Sequence, residues 1–159
     1  MSISLIVMGG ILAAYLFVGR NLTRLVNLQQ QEVQSRRALR EFTQDLSAGS
    51  QLTAATATQV QITKPIASGT TSVTYTYSSA SGTLARADAA GTRTLLSGLT
   101  SFAFTYYTET GNAVTGATQS VKSVEFTFAS ATGTAAAGTR ASYASVSPRV
   151  VLRNKPALQ

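Results

Sequence analysis

The sequence predicts an α+β fold: one long N-terminal α-helix, apolar in its first half, packed through its second half on an antiparallel β-sheet. Three observations predict it. No charged residue occurs from Ile3 to Val18, and neither Pro nor Gly occurs from Arg20 to Ala48. From Leu52 onward the apolar period falls to two, with aromatic residues at alternate positions. A chain of 159 residues holds one ordinary domain and an appendage. The expected division is 1–19 for an apolar helix buried in a membrane or a helix bundle, 20–48 for its amphipathic continuation, and 52–159 for a β-rich head.

The first segment reads ISLIVMGGILAAYLFV. Its candidate apolar contacts are Ile3, Leu5, Ile6, Val7, Gly9, Gly10, Ile11, Leu12, Ala13, Ala14, Leu16, Phe17 and Val18. Sixteen residues of helix rise about 24 Å, short of the roughly 30 Å of a bilayer's hydrocarbon core. No basic residue precedes the run and no small-x-small site clearly follows it, so it fits a signal peptide poorly. A helix that is apolar all round needs an apolar environment on every side: a bilayer or a bundle of helices. Arg20 and Arg24 follow the run, which by the positive-inside bias favours a cytoplasmic carboxyl side, against the exported character of the rest. A basic stretch ahead of Met1 removes both the short span and this conflict.

The second segment is rich in Leu, Gln, Arg, Ala and Glu, all good helix formers. Leu22, Leu25, Val26, Val33, Leu39, Phe42 and Leu46 recur near the helical period. Val33, Leu39, Phe42 and Leu46 are the residues expected to pack on the sheet. Glu32 with Arg36, and Arg37 with Glu41, stand four apart and suit ion pairs on the exposed side. Gly49 is the expected carboxyl-terminal cap. The helix is expected to run for about 45 residues, or roughly 68 Å. A heptad is not sustained in its second half, which sets a free-standing coiled coil aside.

About five or six strands are expected. A short first strand holds Val60 and Ile62 before the turn signal Lys64-Pro65. Val73-Thr74-Tyr75-Thr76-Tyr77, a Ser-Ala-Ser-Gly turn and Thr83 to Arg86 form a hairpin. Leu95 to Leu99 reads as an apolar link. Phe102, Phe104 and Tyr106 line one face of the next strand, and Val121, Val124, Phe126 and Phe128 lie on the one after. Residues 129–142 read as a loop. Val146 to Leu152 reads as a last strand that Pro148 confines to an edge. Core packing is the expected role of the aromatics.

Composition narrows the function classes. The absence of Cys and His excludes disulfides, thiolate or imidazole metal sites, cysteine nucleophiles and histidine bases. Six acids are too few for a carboxylate cage; Asp88 and Glu109 read as solvated loop charges rather than calcium ligands. No G-x-S-x-G occurs, and neither Lys64 nor Lys122 stands in a motif that activates a hydroxyl. The expectation is a non-enzyme with no cofactor and no metal. The net charge of +7 invites a nucleic-acid partner, with Lys122, Arg140, Arg149, Arg153 and Lys155 as candidate contacts. Their dispersion favours a weakly basic surface over a dedicated face.

The order of these parts resembles the type IV pilins and type II secretion pseudopilins. The resemblance is carried by QSRRALREFTQDL after the apolar helix, then VTYTY, GTLAR, LLSGL with FAFTYY, VKSVEF and the ending VLRN. It is similar above all to the minor subunits, the J-type pseudopilins and PilW-like pilins, and covers nearly the whole chain. Members of the family begin with a basic leader, a cleavage site after Gly and a mature Phe-Thr-Leu-x-Glu start. Met1 to Leu5 looks like the stretch directly after that Glu, so the expectation is a chain that starts inside the mature helix.

The resemblance implies a mechanical function. The subunit would be held in the bacterial inner membrane with its head periplasmic, then lifted by an ATPase-driven assembly platform into a pilus or secretion pseudopilus. Its helix would there contact other pilin or pseudopilin subunits, with Ser2, Ser4, Gly9, Gly10, Ala13 and Ala14 permitting close approach. The alternative that the resemblance carries is a DNA-binding minor pilin acting as a receptor in DNA uptake.

Overall fold

A computed structural model describes residues 2–116, 118, 120–132 and 141–153; of residues 2–6, 132 and 141 it describes the backbone alone. The protein is of the α+β class. A single helix, α1 (Ser2–Ala48), precedes ten strands among the described residues: β1 (Gln51–Ala55), β2 (Gln59–Ile66), β3 (Gly69–Ser78), β4 (Thr83–Asp88), β5 (Gly91–Leu96), β6 (Leu99–Tyr107), β7 (Ala113–Val114), β8 (Ser123–Thr132), β9 (Ala141–Val146) and β10 (Val150–Val151).

The strands make two antiparallel sheets. The first is a meander in the order β1-β2-β3-β4-β5. The second runs β10-β8-β6-β7, with β9 also on β8. Short local connections suffice for the first sheet because every neighbour in it is also the next strand in sequence. Pro65 is tolerated in β2 because β1 pairs only as far as Thr63, so no ladder on that side asks for the missing N–H.

The two sheets meet at backbone contacts. Leu99 N–H donates to the Gly82 carbonyl at 2.9 Å, and Phe104 N–H donates to the Ala57 carbonyl at 2.9 Å. Gly82 has a φ of 59° and a Cβ there would lie 2.7 Å from the Leu99 carbonyl oxygen, so only glycine fits this crossing. The Tyr106 hydroxyl ties the junction further, donating to the carbonyls of Thr56 and Gln59 at 2.6 and 3.0 Å.

The core is one cluster shared by helix and sheets, built on Phe42, Leu46, Ile62, Tyr75, Leu84, Phe104, Phe126 and Leu152. Phe42 is its hub. Its ring meets Tyr75 of β3 at 5.3 Å, Phe104 of β6 at 5.8 Å and Phe126 of β8 at 5.0 Å, so one side chain joins α1 to both sheets. The contacts with Tyr75 and Phe126 are edge-to-face and that with Phe104 is stacked; aromatic pairs of either kind add about 0.5–1.5 kcal/mol each beyond burial.

The helix face that enters the core is Gln31, Ser35, Ala38, Phe42, Asp45 and Leu46, spaced by three or four. Leu39 is partly buried beside it. Val33, expected on this face, is instead 66% exposed. It stands nine residues from Phe42, which at 3.6 residues per turn places it about 180° away. Both expected ion pairs form, Arg36–Glu32 at 2.6 Å on the exposed side and Arg37–Glu41 at 3.2 Å, where Glu41 is turned toward β5 and largely covered.

Several boundaries differ from the sequence expectation. β1 was not expected, and the supposed link Leu95 to Leu99 contains the end of β5 and the start of β6. The supposed loop 129–142 holds the end of β8 and the start of β9. The last strand is broken in two at Ser147-Pro148-Arg149, between β9 and β10. Ser147 bridges the break: its N–H donates to the Phe126 carbonyl at 2.8 Å, while its hydroxyl accepts the Phe126 N–H at 2.8 Å. A side-chain oxygen thus replaces the carbonyl that an unbroken strand would supply. Gly49 does follow the helix, but its φ is not positive. Glycine is needed there for space, since a Cβ would sit 2.5 Å from Ile62 Cγ2.

Candidate functional site

The helix divides into a docked part and a bare part. From Val7 to Val26 every residue is exposed, and the first buried position is Gln31. Met8 is 74% exposed, Tyr15 77% and Phe17 68%. Isolated exposed apolar residues are ordinary, but a run without a charge from Val7 to Val18, exposed on every side of the helix, marks a contact with something else. Glycines at 9, 10 and 19 stand in open space: a Cβ on any of them meets nothing within 4 Å. Among the described residues no helix is long and apolar enough to cross a membrane. The side chains of Ile3, Leu5 and Ile6 lie outside the described residues, as do those of Ser2 and Ser4.

The docked part is held by charge as well as by Phe42. Asp45, on the inward face, receives Lys64 Nζ of β2 at 2.6 Å, the Tyr75 hydroxyl of β3 at 2.7 Å and Arg86 Nε of β4 at 2.7 Å. Tyr75 and Arg86 are direct cross-strand partners, so one carboxylate spans neighbouring strands without distorting the ladder. Burial alone would raise the Asp45 pKa; the bonds from Arg86, Lys64 and Tyr75 outweigh it and hold the carboxyl below its ordinary 3.8. The Tyr75 hydroxyl is pushed up, first by burial and then by the Asp45 charge it donates to. Arg86 is held more firmly protonated, chiefly by its bond to Asp45.

The chain around this cluster is also charged. Arg86 reaches Asp88 with a second nitrogen, and Asp88 accepts the Ala90 N–H at 2.9 Å. Asp88 is therefore an internal partner of the β4–β5 hairpin, while Glu109 is exposed in the turn after β6. Glu41 takes both Arg37 and Arg93 of β5. The sequence gives one signal for the cluster: Asp45 interrupts an apolar stripe, and a buried carboxylate demands cations opposite. Nothing in the strand pattern alone says that Lys64 and Arg86 face it.

Of the candidate nucleic-acid contacts, Lys122, Arg149 and Arg153 come to one end of the second sheet. The Lys122 carbonyl accepts Leu152 N–H at 2.9 Å, which sets the start of β8 beside β10 and its flanking arginines. Arg149 sits over the Tyr107 ring, its Cζ 3.6 Å from the ring centroid, with Glu125 at 3.9 Å. Its guanidinium is thus already engaged by a π face and a carboxylate. Arg140 and Lys155 lie outside the described residues.

No family model matches the chain, and no curated protein matches it. In general shape, a long N-terminal helix packed on antiparallel sheets, the molecule is pilin-like.

Proposed function

We propose that the chain is a structural subunit of a type IV pilus or type II secretion filament, of the minor class that the J-type pseudopilins and PilW-like pilins represent. One observation carries the reading: the uncharged, largely apolar helix surface from Val7 to Val18 is left exposed by the described residues of its own molecule. The proposed sequence of events starts from that surface. Before assembly the helix lies in the inner membrane with the head periplasmic, and an assembly platform with its ATPase lifts the subunit out. Lipid contacts are then exchanged for contacts with neighbouring helices. Both surroundings are apolar, so close packing decides the outcome, and the open glycines let backbones approach.

The chain has no cysteine, so single cysteines at Ala14 and Leu22 report neighbours cleanly. Oxidative crosslinking in the cell envelope is expected to give dimers and higher species from Ala14→Cys. Monomer alone, with the same helix reactive to a water-soluble thiol reagent, would sink the reading.

A second reading, a minor pilin that binds DNA, is favoured by the gathering of Lys122, Arg149 and Arg153. Binding of duplex DNA should then weaken steeply with salt, because phosphate contacts release counterions. No mobility shift even at low salt removes it.

A further inference from the structure

We propose that the groove between α1 and β5 is a docking site for an extended, acidic segment of another protein. The groove, of about 430 Å³, is walled by Gln34 and Arg37 on the helix and by Arg93 and Ser97 on the strand side, with Leu95 and Leu96 at its floor. It goes beyond the filament reading and does not depend on it, since none of its residues belongs to the bare part of the helix.

Charge selects the occupant. Arg37 and Arg93 share the single carboxylate of Glu41, so the site carries one more positive than negative charge. Glu41 is covered to 16% exposure, whereas the guanidinium side chains above it remain 68% and 47% exposed. A guanidinium offers five donors in a planar fork, and each spends one on Glu41 here, so a second carboxylate can be received on the outer side. The chain's net charge of +7 opposes a second copy at this place and favours an acidic partner.

Backbone geometry selects an extended segment. β5 is one of the two outer strands of the first sheet, with no strand beyond it among the described residues. Its ladder with β4 is regular from Gly91 to Thr94 and then shifts, Leu96 opposing Leu84 and Thr94 opposing Ala85. Leu95 is the extra residue of that bulge, and it lets Leu95 and Leu96 both turn inward and floor the groove. The strand's outer N–H and C=O groups are a template for a further strand alongside the arginines.

The test uses the full chain in mild detergent micelles and a fluorescent hexapeptide, Thr-Glu-Val-Glu-Val-Thr, with a lysine-for-glutamate counterpart. Expected results are binding of the acidic peptide at low salt, weakening with added salt, and slowed amide exchange within Gly91 to Thr94. Arg37→Glu with Arg93→Glu should weaken binding by about tenfold or more. Should that pair perturb the fold, Arg37→Gln on the exposed helix face is expected to weaken binding about threefold with an unchanged melting curve. No binding at low salt, equal binding of the lysine peptide, or unchanged affinity in Arg37→Gln overturns the proposal.

Discussion

Arg86 Nε lies 2.7 Å from Asp45 Oδ2, joining the last turns of the helix to a strand 41 residues further along the chain. The pair is well covered, at 11% and 7% side-chain exposure, so solvent screens it little. Removing the Asp45 charge leaves Lys64 without its carboxylate and Arg86 with Asp88 alone. Asp45→Asn is therefore expected to destabilise the head by about 3 kcal/mol, read from the urea midpoint with an unchanged slope. A loss below about 0.5 kcal/mol would show that the cluster relaxes freely.

Acid should act through the same carboxylate. Its folded pKa is held below the ordinary 3.8, so the folded state binds the proton less readily than the unfolded one. The stabilisation is full above 3.8 and is lost as pH falls through the lower, folded value. Melting temperature in the wild type should drop on acidification below that point. Asp45→Asn should flatten the drop, and a curve parallel to wild type would assign acid sensitivity elsewhere.

Helix position, not residue type, should decide the cost of trimming α1. Phe42→Ala removes a ring touching both sheets and is expected to cost about 3–5 kcal/mol. Val33→Ala, on the far side of the same helix, is expected to lie within about 0.5 kcal/mol of wild type. Equal losses would mean the docked face is misplaced.

Ser35 offers a gain. Its hydroxyl is buried with no hydrogen-bond partner, as is the side-chain amide of Gln31 one turn earlier. Ser35→Ala removes an unsatisfied group and improves helix propensity, so stability should rise by about 1 kcal/mol. A clear loss would reveal a bridging water at that position.

Gly82→Ala should be costly for two reasons, the positive φ and the approach to the Leu99 carbonyl. About 2 kcal/mol or more is expected, since backbone is the obstacle and cannot swing aside. Gly91→Ala has a positive φ of 131° but open space around it, and separates strain from collision in the same melting experiment.

These residues also mark how far the sequence could be read. The helix and the places of Phe42 and Leu46 were legible because an apolar period of 3.6 needs no tertiary knowledge. Val33 was misplaced because apolar type was weighed above phase: Gln31 and Ser35, both polar, occupy the inward positions near it. β5 and β9 were invisible as whole strands, since Gly-Thr-Arg-Thr and Ala-Ser-Tyr-Ala-Ser carry almost no hydropathy contrast between faces. Asp45 could be suspected from its place in the stripe, but its three partners come from strands whose mutual register only the fold reveals.

The position of Asp45 also governs how tension would travel through the molecule. A pull along the rod that passes the Phe42 contacts reaches Asp45 three residues before the helix ends, and there it divides among side chains rooted in β2, β3 and β4. Those adjacent strands would be loaded together instead of being peeled away one by one, and the narrow glycine link into β1 would be spared the full strain.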